Sequence, residues 1–142
     1  MGKFTERDAA EFAVDISKRL HDIDEEFFNE WGDDWIFFFE KARFSLDDVF
    51  YSEWSADILL YLAATECYDD VKVHTGNDHC VAYLTIEGYL FDKMYYHPRR
   101  EDSQKYIEAF YTAAKDHNMW YNYSSGALIF YDINDKEAGI IR

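Results

Sequence analysis

A chain of 142 residues with a net charge of −15, 49% hydrophobic and 20% aromatic, is too apolar for global disorder and too negative to bind phosphate backbones or anionic membranes directly. Its length predicts one globular domain over residues 1–142, long enough to bury roughly 68–70% of the surface the unfolded chain exposes. The longest apolar runs, residues 35–39 and 58–64, fall far short of the ~20 residues of a membrane span. With no apolar signal core at the N-terminus, a cytoplasmic protein is expected.

The first helix is expected from Thr5, a capping residue with Asp8 three positions on. Ala9, Phe12, Ala13, Ile16, Leu20, Ile23 and Phe27 follow at spacings of three and four, a single apolar stripe that predicts a helix to about Glu30, stopped by Gly32. A second helix is read over residues 33–42, its acids at the positive end of the helix dipole. Ser45 caps a third, over residues 45–67, either kinked or split in two at Ser55. After Asp69-Asp70 the period changes from 3.6 to 2, which predicts strands over 71–74, 80–86 and 89–97, with turns at 75–78 and Gly88. Asp102 or Ser103 then caps a helix carrying Tyr106, Ile107, Phe110, Tyr111 and Ala114, and two last strands, 119–123 and 127–133, flank a Ser124-Ser125-Gly126 turn. The order α-α-α-β-β-β-α-β-β predicts an α+β fold with N-terminal helices packed on a small, mostly antiparallel sheet.

Chemistry is harder to find in this sequence. The sequence has no G-x-x-x-x-G-K-[ST], G-x-G-x-x-G or G-x-S-x-G motif. Cys67, His74, His79 and Cys80 match no common zinc spacing, and adjacent His79 and Cys80 point to opposite faces of a strand. Residues 132–139, DINDKEAG, faintly resemble a calcium loop but carry Glu137 where the sharp turn needs glycine. Cys80 or Cys67 paired with His79, His97 or His117 would be a dyad without a family signature, and two thiols are too few for a disulfide framework. The basic stretch 97–102 is followed at once by its own acids. No cofactor, metal or catalytic residue is assigned, and the chain is expected not to be an enzyme.

The charge itself is informative. Residues 1–70 hold 19 acids and 6 bases, whereas residues 71–142 hold 10 acids and 8 bases. An acidic helical half thus precedes a nearly balanced half that contains the sheet. Like charges packed this closely repel one another, so a face kept only for solubility would intersperse more Lys and Arg. The profile is similar in general character to phage-encoded nucleic-acid mimics and to immunity proteins, a likeness of composition. It implies an inhibitor of the DNA-mimic, phage anti-defence type. Its basic protein partner would be a nuclease, a nucleic-acid-guided effector, a polymerase or a toxin. Asp22, Glu25, Glu26, Glu30, Asp33, Asp34, Asp47 and Asp48 are the expected charges, with Trp31, Trp35 and Trp54 as anchors, because Trp dominates interface hot spots. Two alternatives stand beside this reading: an immunity protein neutralising a cytotoxic enzyme, and a small metal-dependent hydrolase.

Overall fold

The capping box at Thr5 forms: the Asp8 carboxylate accepts the Thr5 backbone N–H at 2.8 Å and fixes the start of α1 (Glu6–Ile23). In the computed structural model, which describes residues 3–96, 100–135 and 137, α1 ends at Asp24. That residue is extended, and its side chain accepts the N–H of Phe27 at 3.0 Å, capping α2 (Glu25–Trp31). The continuous helix read as far as Glu30 is therefore two helices, because an Asp in the extended conformation starts a new one. A single 3-10 turn, Gly32–Asp34, follows.

The helix expected over 33–42 is instead a hairpin, β1 (Ile36–Phe39) and β2 (Ala42–Ser45), turning through Glu40 at φ 51°. Ile and three successive Phe favour the pleated surface of a strand over a helix. This geometry buries Phe37 and Phe39 against α1 while Phe38 faces the other side, where it meets Val71 and Cys80. An uninterrupted apolar run is what a strand covered on both faces looks like. Next come α3 (Leu46–Tyr51), whose cap Ser45 accepts from Asp48 N, and α4 (Ala56–Thr65), capped by Ser55. The split at Ser55 is thus realised.

Two further segments read as strands are helical. Residues 71–75 form a single turn, α5 (Val71–Thr75), between an Asp70 cap and Gly76 in the left-handed conformation at φ 64°. A start signal and a stop signal with five residues between them override the alternation of Val71 and Val73. The strand expected at 89–97 is α6 (Tyr89–Phe91) running into a π-helical turn, Asp92–Tyr96, with Leu90 and Met94 buried four residues apart. His97 lies outside the described residues. The remaining elements follow the sequence pattern: β3 (Cys80–Thr85), α7 (Arg100–Asp116), β4 (Met119–Ser124) and β5 (Ala127–Asp132).

All strand pairings are antiparallel, in the order β2-β1-β3-β5-β4. The fold is α+β, with helices packed on an antiparallel sheet. The first half of the chain contributes β1 and β2 as well as helices, so the sheet is not confined to residues 71–142. Phe12 lies on the middle of the sheet, its ring 5.7 Å from Phe37 and 4.8 Å from Phe130. Ala9, Ala13, Ile16 and Leu20 continue the α1 contact, and Tyr106 and Phe110 of α7 close the same core. None of the described helices is long and apolar enough to cross a membrane.

Candidate functional site

The end of α1, α2, the 3-10 turn and the start of α3 pack into one corner. His21 of α1 stacks on Phe50 of α3 at 4.1 Å, and Phe28 of α2 meets Phe50 edge-on at 5.4 Å. Tyr51 donates to Asn29, joining α3 to α2. Gly32 lies so near α3 that a Cβ added there would be 3.2 Å from the Asp47 Cβ. The rings close the inside of the corner, and the acids are left on its outside.

Of the eight expected charges, Asp22, Glu25, Glu26, Glu30, Asp33, Asp34 and Asp48 are exposed. Asp47 is half-buried and accepts from Ser45 Oγ at 2.6 Å, which ties it to the α3 cap. The ion-pair partner of both Asp22 and Glu25 among the described residues is His21, at 3.8 and 4.0 Å. Among the described residues, no Lys or Arg forms an ion pair with Glu26, Glu30, Asp33, Asp34 or Asp48; the two arginines that do form ion pairs, Arg7 and Arg19, hold Asp57, Asp15 and Asp116 instead. The arginine pairs thus lie outside this corner, which holds five exposed acids without one among the described residues.

The three tryptophans divide. Trp35 is only 1% exposed, packed between Phe27 and Phe28 at 5.5 and 5.8 Å, so it is a core residue and not an anchor. The turn out of α2 drives it inward, and the apolar neighbours on both sides hold it there. Trp31 is half-buried, 4.3 Å from the exposed ring of Tyr89. Trp54 is half-buried against Phe44.

A second constellation was not assembled from sequence. Asp8, Glu11 and Asp15 stand at i, i+3 and i+7, which places them on one face of α1. His117, just past α7, reaches that face: its Nε2 is 2.9 Å from Asp15 Oδ2. Arg19 Nε donates to Asp15 Oδ1 at 2.8 Å and its guanidinium also reaches Asp116 at 3.0 Å. Burial pushes the Asp15 carboxyl up, but the hydrogen bonds from Arg19 and His117 together outweigh it and hold the group below the ordinary value. Asn118, at φ 59°, turns its amide to Asp8 Oδ2 at 3.3 Å. Ligand atoms of Asp8, Glu11 and His117 lie within 4.8 Å of one another, the one such group among the described residues. Glu11, Asp15 and His117 also line a groove of about 990 Å³, walled by further α1 residues (Val14, Ser17, Lys18) on one side and by α3, the loop after it and the start of α4, among them Phe50, Tyr51 and Trp54, on the other. The i, i+3, i+7 carboxylates were visible in the sequence, but their histidine is 102 residues from Asp15.

The other thiol and metal groupings are not brought together. Cys80 is buried with its Sγ 3.1 Å from the Ala82 carbonyl, and burial pushes its thiol up. Cys67 is exposed, and neither cysteine is in a disulfide. His79 Nδ1 lies 2.6 Å from Asp135, and His117 faces Asp15, so neither ring activates a thiol. Of the basic stretch, residues 97–99 lie outside the described residues, as do 136, 138 and 139 of the calcium-like loop. No family model, curated protein or solved structure matches this chain.

Proposed function

We propose that this chain is an inhibitor that occupies the basic nucleic-acid-binding surface of a partner protein, presenting carboxylates where the partner expects phosphates. The observation that carries the reading is the bare corner: Glu26, Glu30, Asp33, Asp34 and Asp48 project together without a paired base among the described residues. Self-repulsion of this kind destabilises a compact state, and a cationic partner relieves it. Trp31 and its neighbour Tyr89 sit beside the charges, an apolar foothold of the kind that supplies hot-spot energy inside a charged rim. A nuclease, a nucleic-acid-guided effector, a polymerase or a toxin offers a surface of matching sign. In that setting the chain itself binds no nucleic acid.

The test begins with capture of the partner from the native host, followed by titration of the purified pair. Affinity should drop steeply between 50 and 500 mM salt, as for complexes whose charges steer and hold them. The quadruple variant Glu26→Gln, Glu30→Gln, Asp33→Asn, Asp34→Asn should bind at least tenfold more weakly and with a shallower salt slope. An affinity indifferent to both salt and these substitutions would refute the proposal.

A further inference from the structure

We propose that Asp8, Glu11 and His117 bind a divalent transition-metal ion, with zinc as the ion of choice, at the wall of the groove between α1 and the loop after α3. Three ligand atoms already lie within 4.8 Å of one another. Closing them onto zinc, at ~2.0–2.2 Å per ligand, needs the side chains to move together by about 1 Å. That is within the reach of small rotations of a Glu and an Asp.

The second argument is how the neighbours hold the ligands. A carboxylate only accepts hydrogen bonds, so His117 Nε2 donates to Asp15 Oδ2 at 2.9 Å. Nδ1 is then the ring nitrogen that Asp15 does not engage. The Asp8 carboxylate is steered in the same way. Its Oδ2 receives the Thr5 N–H at 2.8 Å, the Thr5 hydroxyl at 3.3 Å and the Asn118 amide at 3.3 Å, and among the described residues no hydrogen bond falls on Oδ1. A carboxylate–histidine pair behind a metal ligand, with the ligating carboxylate itself hydrogen-bonded, is the arrangement that orients and sharpens metal sites. These bonds come from the start of α1 and from the turn after α7 that carries both His117 and Asn118.

The donor set decides the ion. An imidazole nitrogen with two carboxylates is a poor fit for magnesium or calcium, which prefer oxygen alone, and a good one for zinc. Three protein ligands also leave a coordination position open, as in zinc sites that bind a water or an exogenous ligand. Because Glu11 and His117 line the groove, that position is available to a small molecule entering it. The site is separate from the acidic corner: Asp8 and Asp22 are fourteen residues apart on α1, about 21 Å along its axis.

Isothermal titration of the full chain, stripped with EDTA, with zinc chloride tests this. One ion per chain is expected, with millimolar magnesium failing to displace it. Glu11→Gln, an isosteric change that leaves packing intact, and His117→Ala should each weaken binding at least tenfold, with folding checked by circular dichroism. Asp15→Asn should weaken it by about 10–100-fold, the usual effect of losing such a supporting bond. His79→Ala, Cys67→Ala and the quadruple corner variant should bind zinc as the parent does. Absence of zinc binding by the parent chain overturns the proposal. So does unchanged binding by both Glu11→Gln and His117→Ala, or loss of binding in His79→Ala or Cys67→Ala.

Discussion

Replacing Glu30 by Lys should make the protein more stable. Glu30 lies in the last turn of α2, which contains no basic residue, and four positions after Glu26. The position is unfavourable twice over, since an acid at a helix C-terminus opposes the dipole and like charges at i, i+4 repel. Lysine would replace a repulsion of ~0.2–0.5 kcal/mol with an attraction of similar size, Glu26 being on the favourable N-terminal side. Reversing the sign near the C-terminus adds a few tenths more at an exposed position. The total is about 0.7–1.5 kcal/mol at low salt. For 142 residues unfolding near 60 °C, with ~2.1 cal/mol/K per residue of entropy, this raises Tm by about 2–5 °C. Urea melts at 50 mM and 1 M NaCl measure it directly, because the Debye length shrinks to ~3 Å at the higher salt and should remove most of the gain. Unchanged or lower stability at low salt would show that the corner is not under electrostatic strain. The same substitution should weaken the partner complex, so stability and binding are expected to move in opposite directions.

Two further outcomes follow from the core and from the α1–α7 junction. Phe12→Ala removes a fully buried ring from the centre of the sheet contact, and denaturant unfolding should report a loss of about 3–5 kcal/mol; a loss below ~1 kcal/mol would contradict the placement of α1. Asp15→Asn should be less stable than the parent at pH 7 by about 1–2 kcal/mol, having lost the charge-assisted bonds to Arg19 and His117. The folded-state value of Asp15 is depressed below 3.8. Its contribution is therefore present above that pH and is lost as pH falls through the folded value. Melts from pH 7 to pH 3 should show the two proteins converging at the acid end, and a constant gap would refute the assignment.

The elements that were legible from sequence are those whose local signals agree with one another. α1 has a cap, a stripe and charged flanks, and β4 and β5 have alternation on either side of a Ser-Ser-Gly turn. The misread segments are those where two signals compete. At residues 33–42 the acids suggested a helix start, while the aromatic run that decides the matter belongs to a strand buried on both faces. At 71–75 the alternation is real, but it is too short to resist a cap and a left-handed glycine, and at 89–96 the aromatic run yields to a Leu90–Met94 helical pair. Exposure of the acids could be anticipated because charge seeks water. The burial of Trp35 could not, since it depends on the hairpin that follows it. Asp8, Glu11 and His117 come together only through the packing of α1 beside α7, which no local pattern encodes.

β4 is an end strand of the sheet, bonded only to β5 among the described residues. Its sequence, Met119 to Ser124, holds Trp120, Tyr121 and Tyr123 and not one charged residue. An uncharged aromatic edge is a template on which another copy of the chain can add a strand. Most proteins blunt such an edge with a lysine or a proline on the strand itself. Here the protection is global: two copies that approach edge to edge each carry a charge of −15, and their mutual repulsion holds the edges apart. The acidity thus opposes edge-to-edge association at a strand that bears none of it.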